Sequence, residues 1–451
     1  MKFRRTGLLA AAAFTLATHS TASHANGRFP ATGQIALSAG DSNFIVARSS
    51  YGLLWTRDHG ANWDWVCELS VGFSGPEDPM LVIMKDNAVS ATLSTGLVIT
   101  KDNGCSWSYA SDPVPRDLFI DAAGKRGDNR SAVAITSKYS GMTDAGAIQF
   151  RSELFATSDG GTTWSKVGQA FDPQLLLETV ELTESNPQRI YVSAIKGSGA
   201  DTQGFLLVSD DGGVTFTQRP VPLVVNEDRA PYIGAVSPTN ADVVYVRTSA
   251  TPGKPNRLLV STDAGRNWTV KHQTLGAMLG FALSPDGTRV WLGSQEDGLF
   301  GASAADLVFT KKSSTQIQCL TASSEGLWAC SNEVSGFVVG FSRDEGATFA
   351  PKLRLSGLRG PLECPVGSST HDKCVPDWPR QRTELGIGTA DAGIGATVTP
   401  DVGGSAVPPS SSSKCGCNVK SDAAGASVAG ASGLAVLVAS ALAALRRRCR
   451  R

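Results

Sequence analysis

Histidine is scarce in this 451-residue chain, with five copies, and no two of its nine cysteines stand at Cys-x-x-Cys spacing. Only His59, His272 and His371 lie beyond the first 25 residues. The usual donor sets for zinc are therefore missing, and no metal or other cofactor is expected. Net charge is lacking too, since 41 basic residues balance 41 acidic ones. The balance conceals unlike parts: residues 1–25 carry +3, residues 416–451 carry +5, and the body between them about −8. A mildly acidic body excludes a general binder of nucleic acid or anionic lipid. No phosphate-cradling loop and no Ser/His/Asp or Cys/His grouping is present, so the common nucleophilic and phosphoryl-transfer chemistries have no residues to run them. What the chain does have is an ordinary apolar content and 48 glycines, which excludes disorder throughout.

The ends read as export and sorting segments. Residues 1–25 combine Lys2, Arg4 and Arg5, an apolar stretch over Gly7–Ala17, and the small-x-small cleavage site Ser23-His24-Ala25, the order of a secretory signal peptide. Asn26 is the expected mature start. Residues 389–413 form a Gly/Pro/Ser/Ala-rich linker with little to bury. Residues 414–451 hold Cys415 and Cys417, an uncharged run Ala423–Leu445, and a closing arginine cluster. As a helix that run would span roughly 34 Å, enough to cross a bilayer with the arginines on the cytoplasmic side.

The body repeats with a period of about 40 to 55 residues, the mark of a propeller or solenoid. Six segments share one eight-residue pattern. Their fixed positions are Asp58, Gly60 and Trp63; Asp102, Gly104 and Trp107; Asp159, Gly161 and Trp164; Asp211, Gly213 and Phe216; Asp263, Gly265 and Trp268; and Asp344, Gly346 and Phe349. The pattern suits a tight hairpin, in which glycine supplies a positive φ and the carboxylate accepts backbone N–H bonds. The aromatic is expected to pack under its own blade. Apolar β-branched stretches precede each segment, so each joins a third strand to a fourth.

Successive aspartates are 44, 57, 52, 52 and 81 residues apart. The last interval predicts a decayed seventh copy, at Gly301–Phe309. Strands are predicted at Gln34–Ser38, Phe44–Arg48, Gly52–Thr56 and Trp63–Cys67 in the first unit, and at Gln318–Ala322, Gly326–Cys330, Val338–Ser342 and Phe349–Leu353 in the last. The reading is an all-β, seven-bladed β-propeller of four-stranded antiparallel blades over residues 26–360, followed by a cysteine-containing extension over 361–388. Closed blades leave few free edges, so a monomer is expected. The cysteines suit an oxidising compartment, with expected bonds between Cys319 and Cys330 on adjacent strands, Cys364 and Cys374 across a small loop, and Cys67 and Cys105 between the first two blades.

The eight-residue pattern resembles the Asp-box, or BNR repeat, and the tail resembles the MYXO-CTERM surface-sorting signal. The second resemblance implies that a sorting protease removes the helix and arginine cluster near Cys415 or Cys417, after transient membrane contact, and that the body reaches the cell surface. Among families with the repeat, sialidases take a nucleophilic tyrosine from a late blade, whereas the last tyrosine here, Tyr245, precedes the fifth segment. Xyloglucanase-like hydrolases place their cleft between two propellers, and this chain has one. Sortilin-like receptors and photosystem II assembly factors use such propellers as non-catalytic platforms, and the chain is similar to them in repeat type and domain count.

The regularly spaced aspartates are thus read as structural. A ligand is expected on the opposite face, where second-to-third and fourth-to-first loops gather. Lys138, Tyr139, Lys196, Glu227, Asp228, Arg229 and Tyr232 form the predicted polar face, suited to a glycan or a protein. The alternative is a divergent glycoside hydrolase or lyase that uses Glu227, Asp228 or another acid of that face.

Overall fold

The computed structural model describes residues 30–73 and 77–388. The expected signal segment, the expected linker and the tail with Cys415 and Cys417 lie outside the described residues. Seven four-stranded antiparallel meanders make the body, with first strands at Thr32–Leu37, Leu81–Ile83, Phe119–Gly124, Leu175–Leu182, Asp228–Val236, Gly280–Leu283 and Cys319–Ser323. Each first strand lies against the first strand of the next blade, around to the last against Thr32–Leu37, so these seven line the axis of a propeller. Middle strands such as Gly52–Thr56, Val89–Leu93 and Ala132–Thr136 are buried throughout, because each blade is covered by neighbours on both faces. That double burial is why they read as apolar runs rather than as alternating patterns.

The hydrophobic cores accordingly sit between blades. One joins Trp63 and Trp65 of blade 1 to Trp328 and Phe341 of blade 7. Ring closure needs no exchanged strand, since every blade is contiguous in the chain. It is made by packing, with the Thr321 hydroxyl donating to Ile35 O at 2.8 Å and Trp63 Nε1 donating to Lys352 O at 3.1 Å.

The six aspartate turns share one hydrogen-bond scheme. At the third, the Thr157 hydroxyl donates to Asp159 Oδ1 at 2.8 Å and accepts from Gly161 N at 3.1 Å. Asp159 then accepts from Thr163 N at 2.9 Å and from its hydroxyl at 2.7 Å. These two donors from Thr163 bring the Asp159 carboxyl down to about 2. The glycines have positive φ, as do the residues before them, His59, Asn103, Gly160, Gly212, Ala264 and Glu345. Two left-handed residues in succession make the turn, and the glycine is required because it abuts the preceding blade. A Cβ on Gly346, for example, would lie 2.1 Å from Leu299 Cδ2.

The aromatics depart from expectation in the same way. Trp63, Trp164 and Trp268 pack between their own blade and the preceding one, and Trp268 Nε1 donates to Pro220 O on blade 4. At the seventh turn Ala305 replaces the aspartate, and Asp306 makes only a bond from Val308 N at 3.1 Å. Leu307 takes the left-handed conformation there with φ 56°.

Two of the three expected disulfides are corrected. Cys319 pairs with Cys330, but Cys67 pairs with Cys374 and Cys105 with Cys364. The reason is the path of the chain after blade 7. Leu358–Pro361 adds to blade 1 as a fifth strand, parallel to Trp63–Val66, and carries the extension along the outer edge of blades 1 and 2. There Ser369–Glu384 forms a helix, which begins inside the segment expected to be a small loop between Cys364 and Cys374. Its polar sequence contains Pro376 and Pro379 and buries only Thr370, Cys374 and Gln381, so it lacks an amphipathic signature. Thr370 anchors it by donating its hydroxyl to Gly104 O at 2.6 Å, and Trp378 packs on Trp65.

Candidate functional site

The seven predicted ligand-face residues are distributed over blades 3 to 5, and five of them, Lys138, Lys196, Glu227, Asp228 and Tyr232, are engaged by partners of their own. Lys196 lies 3.7 Å from Asp172, and Glu227 accepts from Lys254 at 2.8 Å. Asp228 is buried on the first strand of blade 5, where it pairs with Arg257 and accepts from Val224 N at 2.6 Å. Arg229 and Tyr139 are exposed, and Tyr232 lies against Arg247. Glu227 and Asp228 are therefore not a free acidic pair. Lys138 borders the cleft between blades 2 and 3.

That cleft lies on the predicted face, between blades 2 and 3, and encloses about 430 Å³. Ser94 and Thr95 come from the second-to-third turn of blade 2, Tyr109 from its last strand, and Arg116, Asp117 and Leu118 from the loop into blade 3. The Tyr109 ring seats on Gly96, whose φ is +144° and where a Cβ would lie 2.8 Å from Tyr109 Cδ1. Its hydroxyl is 3.0 Å from Thr95 Oγ1. Arg116 stacks on the ring with its guanidinium carbon 3.4 Å from the ring centre, a close cation–π contact. At the floor, Asp117 is buried and held by Lys138 at 2.5 Å and by Arg151. Lys138 and Arg151 begin and end an extra hairpin, Lys138–Met142 and Ile148–Arg151, inserted in blade 3 and exposing Tyr139 and Met142.

Arg116 and Asp117, on the loop between Ser108–Tyr109 and Phe119–Gly124, and Tyr109, on the edge strand before it, carry no compositional mark that sets them apart in the sequence. Sequence reasoning missed these and three carboxyls on axis-lining strands. Asp121 Oδ2 accepts from Val180 N at 2.8 Å, which ties blade 3 to blade 4. Burial pushes Asp121 up to about 7 against the pull of that bond and of Arg247 and Arg48. Burial likewise pushes Glu178 up to about 8, although Tyr232 hydrogen-bonds it, and Glu181 up to about 8, although Arg126 is near. An acid inside an apolar strand, as in Leu175-Leu176-Leu177-Glu178, was the available clue. Among the described residues no group of three or more His, Cys, Asp or Glu could hold a metal, and no helix is long and apolar enough to cross a membrane.

No family model matches the chain. The human VPS10 domain-containing receptor SorCS2 is 27% identical over 144 residues, 32% of this chain. The chain spans only 11% of that receptor. Among solved structures, an ancestral GH74 enzyme is 14% identical with a TM-score of 0.47, covering 67% of this chain and 43% of its own. YCF48 bound to D1 peptide is 15% identical with a TM-score of 0.41, covering 66% and 88%. Hydrazine synthase of Kuenenia stuttgartiensis is 10% identical with a TM-score of 0.48, covering 74% and 100%. These similarities do not bear on activity, and the propeller itself stands on the strand topology.

Proposed function

We propose that the protein is an exported propeller that binds a glycan or a protein on its loop face without catalysis. The observation that supports this reading most is the state of that face's acids. Asp117, the acid that lines the cleft, is committed to Lys138 and Arg151, and Glu227 and Asp228 elsewhere on the face are committed to Lys254 and Arg257, so the cleft offers Arg116 and hydroxyls and no spare carboxylate pair for acid–base work. The aspartate turns are read as Asp-box elements with a structural role, their carboxylates being consumed by their own turns. Three disulfides are consistent with export. A glycan screen of the purified protein, with mass spectrometry of each ligand after incubation, is expected to give binding with intact ligand. Release of product would overturn the non-catalytic reading.

Surface delivery by a sorting protease acting near Cys415 or Cys417 belongs to the same proposal, as does a monomeric state. The mass of the mature protein tests the sorting: a C-terminus near the cysteine motif is expected, and an intact Arg451 would sink it.

A hydrolytic reading is favoured by one feature, the three carboxyls on axis-lining strands, Asp121, Glu178 and Glu181, which desolvation pushes upward. A carboxyl raised to about 8, as at Glu178, has the proton a general acid needs at neutral pH. If product forms in the screen, this reading expects it to vanish in Glu178→Gln.

A further inference from the structure

We propose that the cleft between blades 2 and 3 recognises the ring carboxylate of an acidic glycan, with Arg116 as its anchor. The inference rests on the loop-face binding reading and specifies its ligand. A census of charges around the cleft carries it. Lys138 and Arg151 are spent on Asp117. Glu77, at the rim, is spent on Ser94, accepting from its N–H at 3.0 Å and its hydroxyl at 2.8 Å. Arg116 is exposed and has no carboxylate partner among the described residues. Its position is nonetheless defined, because the guanidinium lies against Tyr109, whose ring is held by Gly96 and by Thr95.

A guanidinium braced on an aromatic ring keeps its N–H edges free, and two parallel N–H groups match the two oxygens of a carboxylate. Bracing also lowers the entropy lost when the ligand arrives. Beside the anchor, the Thr95 and Tyr109 hydroxyls share one hydrogen bond and retain capacity for others, which suits sugar hydroxyls. The volume lies within the range of small-ligand sites. An extended acidic peptide fits less well. It would need a strand edge to pair with, and the edge strand here, Ser108–Tyr109, is two residues long. The acidic body also repels diffuse polyanions, so recognition must be local to this one cation.

The test is calorimetric titration of the full chain with trigalacturonate, its methyl ester and triglutamate. Wild type is expected to bind trigalacturonate and to lose at least ~10-fold in affinity for the ester, an arm that requires no mutation. Arg116→Ala and Arg116→Lys should each lose ~10-fold or more, the lysine variant because it keeps the charge without the planar fork. Lys101→Gln, at the exposed aspartate turn of blade 2 on the opposite face, should bind as wild type does. Equal affinity for acid and ester, unchanged affinity in both Arg116 variants, or triglutamate binding as well as the sugar would each overturn the proposal. Neutral-glycan or protein binding that ignores Arg116 would overturn it and leave the loop-face reading standing. Loss of every ligand in the wider screen would remove both.

Discussion

Replacing Cys67 and Cys374 with alanine is expected to lower the melting temperature by roughly 5 °C, and further removal of Cys105 and Cys364 to lower it by at least as much again. The bonds span 307 and 259 residues, and they are nested. With one in place, the other constrains only about 48 further residues, so the first loss costs about 4 kcal/mol in the chain-entropy account. For a body of this size that is about 5 °C. The second loss opens the large loop and costs more. It also frees Leu358–Pro361 and the helix Ser369–Glu384 from blade 1, uncovering Trp65. Scanning calorimetry with and without reductant measures the shift, and limited proteolysis between blade 7 and the helix should become fast only in the four-cysteine variant. A melting temperature indifferent to reductant would show that the extension does not stabilise the ring.

Stability should peak in mildly acidic solution and fall towards pH 8. For Asp121, Glu178 and Glu181 the folded protein holds its proton more tightly than the unfolded chain does. Their contribution is complete below the ordinary carboxyl range near 4 and is lost as pH rises through about 7 to 8. The turn aspartates Asp159 and Asp344, brought down to about 2, act in the opposite sense. Their contribution is complete above that same range and is lost as pH falls towards 2. The optimum therefore falls near pH 4, where the two ranges meet. Glu178→Gln removes one buried ionisation and should raise the melting temperature at pH 8 by ~3 °C while changing little at pH 5. A melting temperature flat from pH 5 to pH 8, or an equal effect of the variant at both, would contradict this account of the axis.

Much of the architecture was legible in the chain. An eight-residue turn closes on itself, with Thr157, Asp159, Gly161 and Thr163 all bonded within one loop, so its pattern survives as a readable string. Spacing then predicted a seventh unit where the string had decayed, and Gly298–Ser303 and Thr310–Ser313 flank that turn as strands. The cleft was only half legible. Its face follows from propeller connectivity and Lys138 from its place on a long insertion, but the other residues come from a turn, an edge strand and a loop with no compositional mark.

What the sequence determined by itself was local: the strands, the turns, their number, and a cysteine content suited to an oxidising compartment. Tertiary structure decided which cysteine meets which, that a polar segment with two prolines becomes a helix, and that Asp228 is a buried ion-pair partner rather than a free acid. The physical reason is range. Hydrogen bonds within a turn join neighbours in the chain, whereas the bond between Cys67 and Cys374, the seat of Arg116 on Tyr109 and the enclosure of Glu178 at the axis depend on the path of the whole chain around the ring.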